Sequence, residues 1–208
     1  MDAYYPISLN LSGRRVTIIG GGNIAERKIV GLLDTGAYLE IVSPNLTQHL
    51  QRLVAEKRII WKEKQFSPED IQNTFLVIAA TNKYEINQQV KKSAKSKQLV
   101  CLVDDPAHSD FILSSILKRG RLMISISTGG ASPILAKRIR SQLEQTFDER
   151  YEDYLEFLAT KRSMIIKTIQ DPTKKRELLT ALVDPCYLEC DNREEKFQQL
   201  ISNCSREA

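Results

Sequence analysis

Cysteine is scarce in this chain, at four of 208 residues, and histidine scarcer still, at two. So few cysteines over such a length do not form the framework of a disulfide-stapled secreted domain. Cys101 sits inside an apolar run and reads as a small core residue. Cys186 and Cys190 lie four apart with Cys204 beyond and no histidine nearby, a poor match to zinc spacings, so no metal site is expected. No apolar run approaches the roughly 18 residues that span a bilayer. The opening Met1-Asp2-Ala3-Tyr4-Tyr5-Pro6 lacks the basic and apolar regions of a signal peptide, which makes the cytoplasm the expected compartment. Repeats and low-complexity stretches are also missing. A net charge of +4 is too mild to imply nucleic acid.

What is present describes a globular chain, 42% apolar and 27% charged. Its length suits one large domain or a domain with an appendage. Val16 to Ile19, apolar or β-branched throughout, run into Gly20-Gly21-Gly22, and a helical pattern follows through Ala25, Ile29, Leu32 and Leu33. Gly20-x-Gly22-x-x-Ala25 fits the dinucleotide fingerprint, in which glycines allow the sharp turn and the close approach of a pyrophosphate. Asn23, Ile24 and Ala25 would offer their N–H groups at the positive end of the helix dipole. About 20 residues on, the strand pattern Tyr38–Val42 ends in Ser43-Pro44 rather than in an acid that would bind the ribose hydroxyls. These residues leave the choice between NAD and NADP open.

The pattern then repeats. A helix over Leu46–Lys57 and a short strand at 59–62 precede Ser67-Pro68-Glu69-Asp70, which reads as a capped helix start. Phe75–Ala80 is a continuous apolar run of strand length that ends at Thr81-Asn82. A helix over about 83–96 leads to a strand at Leu99–Val103 that ends at Asp104-Asp105-Pro106. Strands alternating with helices predict an α/β fold, a Rossmann-type doubly wound parallel sheet. Ligands of such sheets gather beyond the carboxyl ends of the strands, where Gly20–Gly22, Ser43, Thr81-Asn82 and Asp104-Asp105 all fall.

From Phe111 to Leu143 there are six basic residues, Lys118, Arg119, Arg121, Lys137, Arg138 and Arg140, and no acid. Leu122–Ser127 alternates like a strand, and Ser127-Thr128-Gly129-Gly130-Ala131-Ser132-Pro133 leads into a helix starting near Ile134. A glycine-rich loop with a Ser cap and Pro at the helix start suits an anion, and a field of one sign raises the local concentration of a polyanion. A solvated, capped basic helix fits the same residues. Beyond Glu144 the pattern is helical, with Phe147, Tyr151, Tyr154, Leu155 and Leu158 on one face as core or partner contact. Short helices broken at Asp171-Pro172 and Asp184-Pro185 follow, with fraying expected from Asn203 to Ala208.

These residues resemble the precorrin-2 dehydrogenases of sirohaem biosynthesis, a family that includes dehydrogenase–ferrochelatases and the N-terminal part of sirohaem synthase. The resemblance rests on Tyr5-Pro6-Ile7-x-Leu9-x-Leu11 and Val16-x-Ile18-Ile19-Gly20-Gly21-Gly22-x-Ile24-Ala25-x-Arg27-Lys28, then on Ala80-Thr81-Asn82 and Val103-Asp104-x-Pro106. Phe111 and Ser127-x-Gly129-Gly130-x-Ser132-Pro133-x-Leu135-Ala136 complete it, over residues 5–145; the tail from 146 carries no signature. It implies NAD-dependent oxidation of precorrin-2, a tetrapyrrole with eight carboxylates, to sirohydrochlorin. It also implies a homodimer, joined through residues 113–145.

On this reading residues 1–112 form the NAD-binding domain, 113–145 a small α+β dimerisation and substrate-contact region, and 146–208 a helical domain. Gly20, Gly22, Asn23, Ile24, Ala25, Ser43, Pro44, Thr81 and Asn82 are the expected cofactor contacts. Ser127, Thr128, Gly129, Gly130, Ser132, Lys137 and Arg138 are the expected substrate contacts. The family's catalytic aspartate falls by position on Asp104, with Asp105 following it and His108 as the other conventional base nearby. Cys101-Leu102 stand where the family often has Asn. No methyltransferase domain is expected in this length. Metal insertion into sirohydrochlorin remains an alternative, as does a non-catalytic NAD-sensing module.

Overall fold

The computed structural model describes residues 4–206. The chain divides into two compact units, one ending at Leu113 and one beginning at Ser114. The expected boundary after residue 112 falls one residue from this division, and the segments 113–145 and 146–208 lie in a single unit.

The first unit is a five-stranded parallel sheet, β1 (Arg15–Ile19), β2 (Tyr38–Val42), β3 (Ile60–Lys62), β4 (Leu76–Ala79) and β5 (Leu99–Leu102), in the order β3-β2-β1-β4-β5. Its helices are α1 (Asn23–Val30), α2 (Gln48–Ala55) and α3 (Tyr84–Ser93). All four residues of β4 are buried, as a strand covered on both faces must be. The two faces carry separate cores. Val16, Ile18, Leu39, Ile41 and Ile78 pack with Ala25, Ile29, Leu50 and Leu53 on one side, and Ile19, Val42, Val77 and Val100 with Ile71 and Val90 on the other.

Three helices are shorter than their patterns suggested. α1 ends at Val30 because Gly31 closes it and Leu32 and Leu33 turn back on Ile29 and Val30 with i→i−3 bonds. Thr47 caps α2, its hydroxyl accepting from the Leu50 N–H at 3.3 Å, and Lys57 ends it in a left-handed conformation at φ 57°. α3 stops where Ala94 becomes extended. The start at Ser67 makes a single 3₁₀ turn, Pro68–Ile71, with the Asp70 carboxylate accepting from the Ser67 N–H at 2.9 Å.

Polar groups join the strands where apolar ones cannot. Buried Glu40 on β2 lies 3.7 Å from Arg15 and is paired with Lys62, which with Lys64 also reaches Asp70. At the other edge, β5 is closed by side chains of the loop that follows it. Asp110 accepts from the Val100 N–H and the Ser109 hydroxyl from the Leu102 N–H, each at 2.8 Å. An edge so covered presents no open row of donors to another strand.

The second unit starts with an antiparallel hairpin, β6 (Ser115–Arg119) and β7 (Leu122–Ile126), turned at Gly120. β6 is a strand that the basic run Lys118-Arg119-x-Arg121 concealed. Five helices follow: α4 (Pro133–Thr146), α5 (Arg150–Thr168), α6 (Pro172–Ala181), α7 (Cys186–Glu189) and α8 (Arg193–Arg206). Both Pro-marked breaks are real. α8 is helical through Arg206, so the fraying expected from Asn203 is not seen there, and residues 207–208 lie outside the described residues, as do residues 1–3 at the other end.

Of the expected stripe, Tyr154 is core with Tyr151 and Leu158 packed against it, whereas Phe147 lies in the break between α4 and α5. Tyr154 and Ile165 pack with Leu178, Leu182, Tyr187 and Phe197, and the Tyr154 hydroxyl donates to the Leu182 carbonyl at 3.2 Å. Lys161 is buried among them, 4.9 Å from the Phe197 ring centre and 2.5 Å from Glu194. Among the described residues no helix is long and apolar enough to cross a membrane.

Candidate functional site

The sheet order reverses between β1 and β4, and the crevice beyond the carboxyl ends of these strands is where such a sheet collects ligands. Gly20 leaves β1 at φ 115°, and a Cβ there would stand 2.5 Å from the Ala80 carbonyl oxygen at the end of β4. Gly21 is pressed harder, since its Cβ would come within 2.0 Å of the Asn45 carbonyl oxygen. The loop after β2 is clamped on this turn, with the Thr47 N–H donating to the Gly21 carbonyl at 3.1 Å. Two of the three glycines are therefore required by the protein's own backbone.

Gly22 is different. A Cβ there would meet nothing within 4 Å, and no side chain caps the helix that begins after it. The first intrahelical bond of α1 is from the Glu26 N–H to the Gly22 carbonyl, which leaves the N–H groups of Asn23, Ile24 and Ala25 without internal partners. Open space, unmet donors and the positive dipole end together fit a pyrophosphate. Glu26, the acid in this first turn, is bound by the Thr47 hydroxyl.

The second-strand residues do less than their position suggested. The Ser43 hydroxyl donates to the Asn45 carbonyl at 2.8 Å and lies against Gly21, so it braces the loop, while Pro44 is exposed beside it. Thr81 is organised by Asn87 of α3, a fully buried residue that sequence reasoning passed over. Its side-chain oxygen accepts from the Thr81 hydroxyl at 2.8 Å and its amide donates to the Thr81 carbonyl at 3.2 Å. A polar residue inside an otherwise apolar helix face was the available signal. Asn82 next to it is exposed.

At the end of β5 the two acids separate. Asp104 is exposed and makes no hydrogen bond or ion pair among the described residues. The Asp105 side chain is 14% exposed and caps the 3₁₀ turn Pro106–His108. It accepts from the Gln88 amide at 2.9 Å and lies 2.8 Å from Nδ1 of His108. The hydrogen bond from His108 is the main reason that its carboxyl stays below the usual aspartate range. Cys101 on β5 is a poor nucleophile, because burial pushes its thiol up to about 11.

In the second unit the loop after β7 satisfies itself. Ser127 accepts from the Gly129 N–H at 3.1 Å, Thr128 from the Ser132 N–H at 3.1 Å, and Ser132 from the Leu135 N–H at 3.2 Å. Gly129 and Gly130 take positive φ, and a Cβ on either would meet nothing within 4 Å. The basic run is also divided. Arg121 pairs with Glu156 at 2.8 Å and Arg140 lies 3.5 Å from Glu144, whereas Lys137 and Arg138 are exposed and have no ion-pair partner among the described residues.

Three family models match successive parts of the chain: a putative NAD(P)-binding domain over residues 7–115, the central part of sirohaem biosynthesis proteins over 119–146, and the SirC C-terminal domain over 151–196. The last gives the tail a relationship that no motif in it had suggested. The precorrin-2 dehydrogenase of Priestia megaterium is 36% identical over 197 residues, which are 95% of this chain and 98% of that protein. The siroheme synthase of Mannheimia succiniciproducens is 34% identical over 99% of this chain, which spans 41% of its length. A solved structure of SirC, a precorrin-2 dehydrogenase, superposes with a TM-score of 0.82 at 35% identity, covering 96% of this chain and all of that one.

Proposed function

This chain belongs to the precorrin-2 dehydrogenase family, and we propose that it oxidises precorrin-2 to sirohydrochlorin with NAD as the electron acceptor and Asp104 as general base. The observation that carries the cofactor half of this reading is the uncapped start of α1 beside the open side of Gly22. The N–H groups of Asn23, Ile24 and Ala25 hold the pyrophosphate, with Gly20 and Gly21 keeping the turn tight enough to present them. Bound there, the nicotinamide supplies the two-electron acceptor for a hydride from the substrate. NAD rather than NADP is favoured because the cations near the end of β2 are engaged: Lys62 is taken up by Glu40 and Asp70, and Lys64 by Asp70. A 2′-phosphate would have to attract a new partner.

Losing two electrons as hydride obliges the substrate to lose a proton as well. Asp104 is supported as its acceptor because its carboxylate is uncommitted at the end of β5, whereas Asp105 is held by three donors. General-base assistance of this kind contributes typically ~10²–10⁴-fold. Lys137 and Arg138, with the hydroxyls of Ser127, Thr128 and Ser132, are proposed to meet substrate carboxylates. A polyanionic substrate gains most from cations that no protein acid has neutralised.

We place the enzyme in the cytoplasm as a homodimer. Ile116 and Met123 on the hairpin, each about half exposed, and Ile134, 83% exposed at the start of α4, are the apolar surface that supports pairing through residues 113–145. The test is an anaerobic assay of the purified chain with precorrin-2, supplied with NAD or NADP and followed by sirohydrochlorin absorbance. NAD-dependent product is expected. Protein that binds NAD and forms no product with either nucleotide would leave a nucleotide-sensing module in its place. Fe²⁺ or Co²⁺ added afterwards separates a dehydrogenase, where insertion stays at the background rate, from a bifunctional enzyme, where it accelerates.

A further inference from the structure

We infer that Asp105 and His108 act as a pair, in which Nε2 of His108 receives the proton released by the oxidation and Asp105 is the positioning residue that aims the ring. The inference rests on the dehydrogenase reading and adds to it a second proton-handling group beside Asp104.

The geometry begins with the turn. Asp105 precedes Pro106, whose fixed φ starts a single 3₁₀ turn that brings residue 108 back over residue 105. The Asp105 carboxylate meets the His108 backbone N–H at 3.4 Å and Nδ1 of its ring at 2.8 and 2.9 Å from the two oxygens. A cap for this turn needs only the backbone contact. The ring contact does something further, because a neutral imidazole that donates from Nδ1 presents its lone pair on Nε2. His108 is 71% exposed, so that nitrogen faces outward at the carboxyl end of β5, and no residue among those described bonds to it.

The pair is braced from three directions. Gln88 of α3 donates to Asp105 Oδ2 at 2.9 Å, the Ser109 hydroxyl donates to the Asp105 carbonyl at 3.0 Å, and the Tyr4 hydroxyl donates to the Pro106 carbonyl at 3.4 Å. The nearby charges leave the ring to Asp105. Lys91 of α3 is taken by Asp110 at 2.6 Å, and Asp104, adjacent in the chain, makes no contact with it. An imidazolium formed on His108 would therefore lie against a carboxylate already in place, the arrangement in which a carboxylate stabilises and orients a catalytic histidine.

The balance of the step is simple. One substrate C–H bond breaks with its electron pair and leaves as hydride to the nicotinamide, which is reduced. A second hydrogen leaves as a proton to the Asp104 carboxylate, and His108 Nε2 receives it from there through water and releases it to solvent. No further oxidant is required.

The test compares wild type with His108→Ala, Asp105→Asn and Asp105→Glu, measuring kcat and KM from pH 5 to 9, NAD affinity by calorimetry, and recovery of His108→Ala by added imidazole. His108→Ala is expected to lose about tenfold in kcat with NAD affinity unchanged, and to regain activity with imidazole. The pH profile of kcat differs between wild type and that variant. Asp105→Asn should fall part of the way and Asp105→Glu should recover some of the loss, which a mere turn cap would not do in kcat alone. Because His108 is exposed, its removal leaves the fold intact, and thermal denaturation checks this. Wild-type kcat and an unchanged pH profile in His108→Ala would overturn the inference while the dehydrogenase reading stands. A wild-type protein that makes no sirohydrochlorin would take both down.

Discussion

Two glycine loops in this chain look alike in sequence and differ in kind. Each follows a strand, opens a helix and reads as an anion site. In the loop Gly20–Gly22 the first two glycines are demanded by neighbouring carbonyls and the third faces open space before a helix that no side chain caps. In the loop Ser127–Ser132 the glycines are demanded by backbone angle alone, and Ser132 caps the helix itself. The first loop leaves its donors unmet and the second has used them. A helix start without a side-chain cap forgoes roughly 0.5–2 kcal/mol. A bound anion would supply the missing acceptors, and for that reason the first loop is the one we propose as the cofactor site.

The strongest way to break this comparison is Gly21→Ala. Its Cβ would overlap the Asn45 carbonyl and crowd Leu46 and Ser43, so the β2 loop must move. We expect a loss of stability at the upper end of the roughly 1–3 kcal/mol seen for overpacking, with loss of NAD binding, read by urea denaturation and calorimetry.

Charge reversal in the second unit, Lys137→Glu with Arg138→Glu, should raise KM for the tetrapyrrole about tenfold and leave NAD affinity alone, an effect that shrinks as salt is added. An unchanged KM would move the carboxylate contacts elsewhere. Ser132→Ala removes a cap that the protein supplies for itself, and should cost about 1 kcal/mol of stability with NAD affinity unaltered.

The smallest effect concerns Asp70. Burial alone would raise its pKa, but the Ser67 N–H with Lys64 and Lys62 outweighs burial and holds it below the ordinary aspartate range. A carboxylate depressed in the folded state stabilises at pH values above its unfolded pKa of about 3.9, and that stability is lost as pH falls through the lower folded value. The stability gap between wild type and Asp70→Asn should therefore be full at neutral pH and close in acid. Equal gaps at pH 7 and pH 3 would remove Asp70 from the ion-pair ladder.

Most of the sheet was legible because its strands are buried on both faces and read as plain apolar runs. β4 and β5 could hardly be mistaken, and Pro172 and Pro185 marked helix starts that cannot be elsewhere. What escaped notice was set by contacts between distant residues. β6 alternates only weakly because Leu117 is its single buried residue and its neighbours Lys118 and Arg119 disguise it as a charged run. The bracing role of Ser43 depends on a carbonyl two residues on, and the separation of Asp104 from Asp105 depends on Gln88 seventeen residues earlier. Sequence spacing carries no trace of either bond. The glycine loops show the same limit, because the motif states that glycine is needed and only the neighbours say why.

The most direct measurement is calorimetric titration of NAD into three proteins, the wild type, Gly22→Ala and Gly130→Ala, each confirmed by its melting curve to be folded at the titration temperature. Gly22 has room for a Cβ and an ordinary backbone, so its variant folds normally, and it is expected to lose at least tenfold in NAD affinity because the methyl fills the space where the phosphates approach. Gly130→Ala should bind NAD as the wild type does. Undiminished binding by Gly22→Ala, or loss of binding in Gly130→Ala, would contradict the assignment of the cofactor to the first loop.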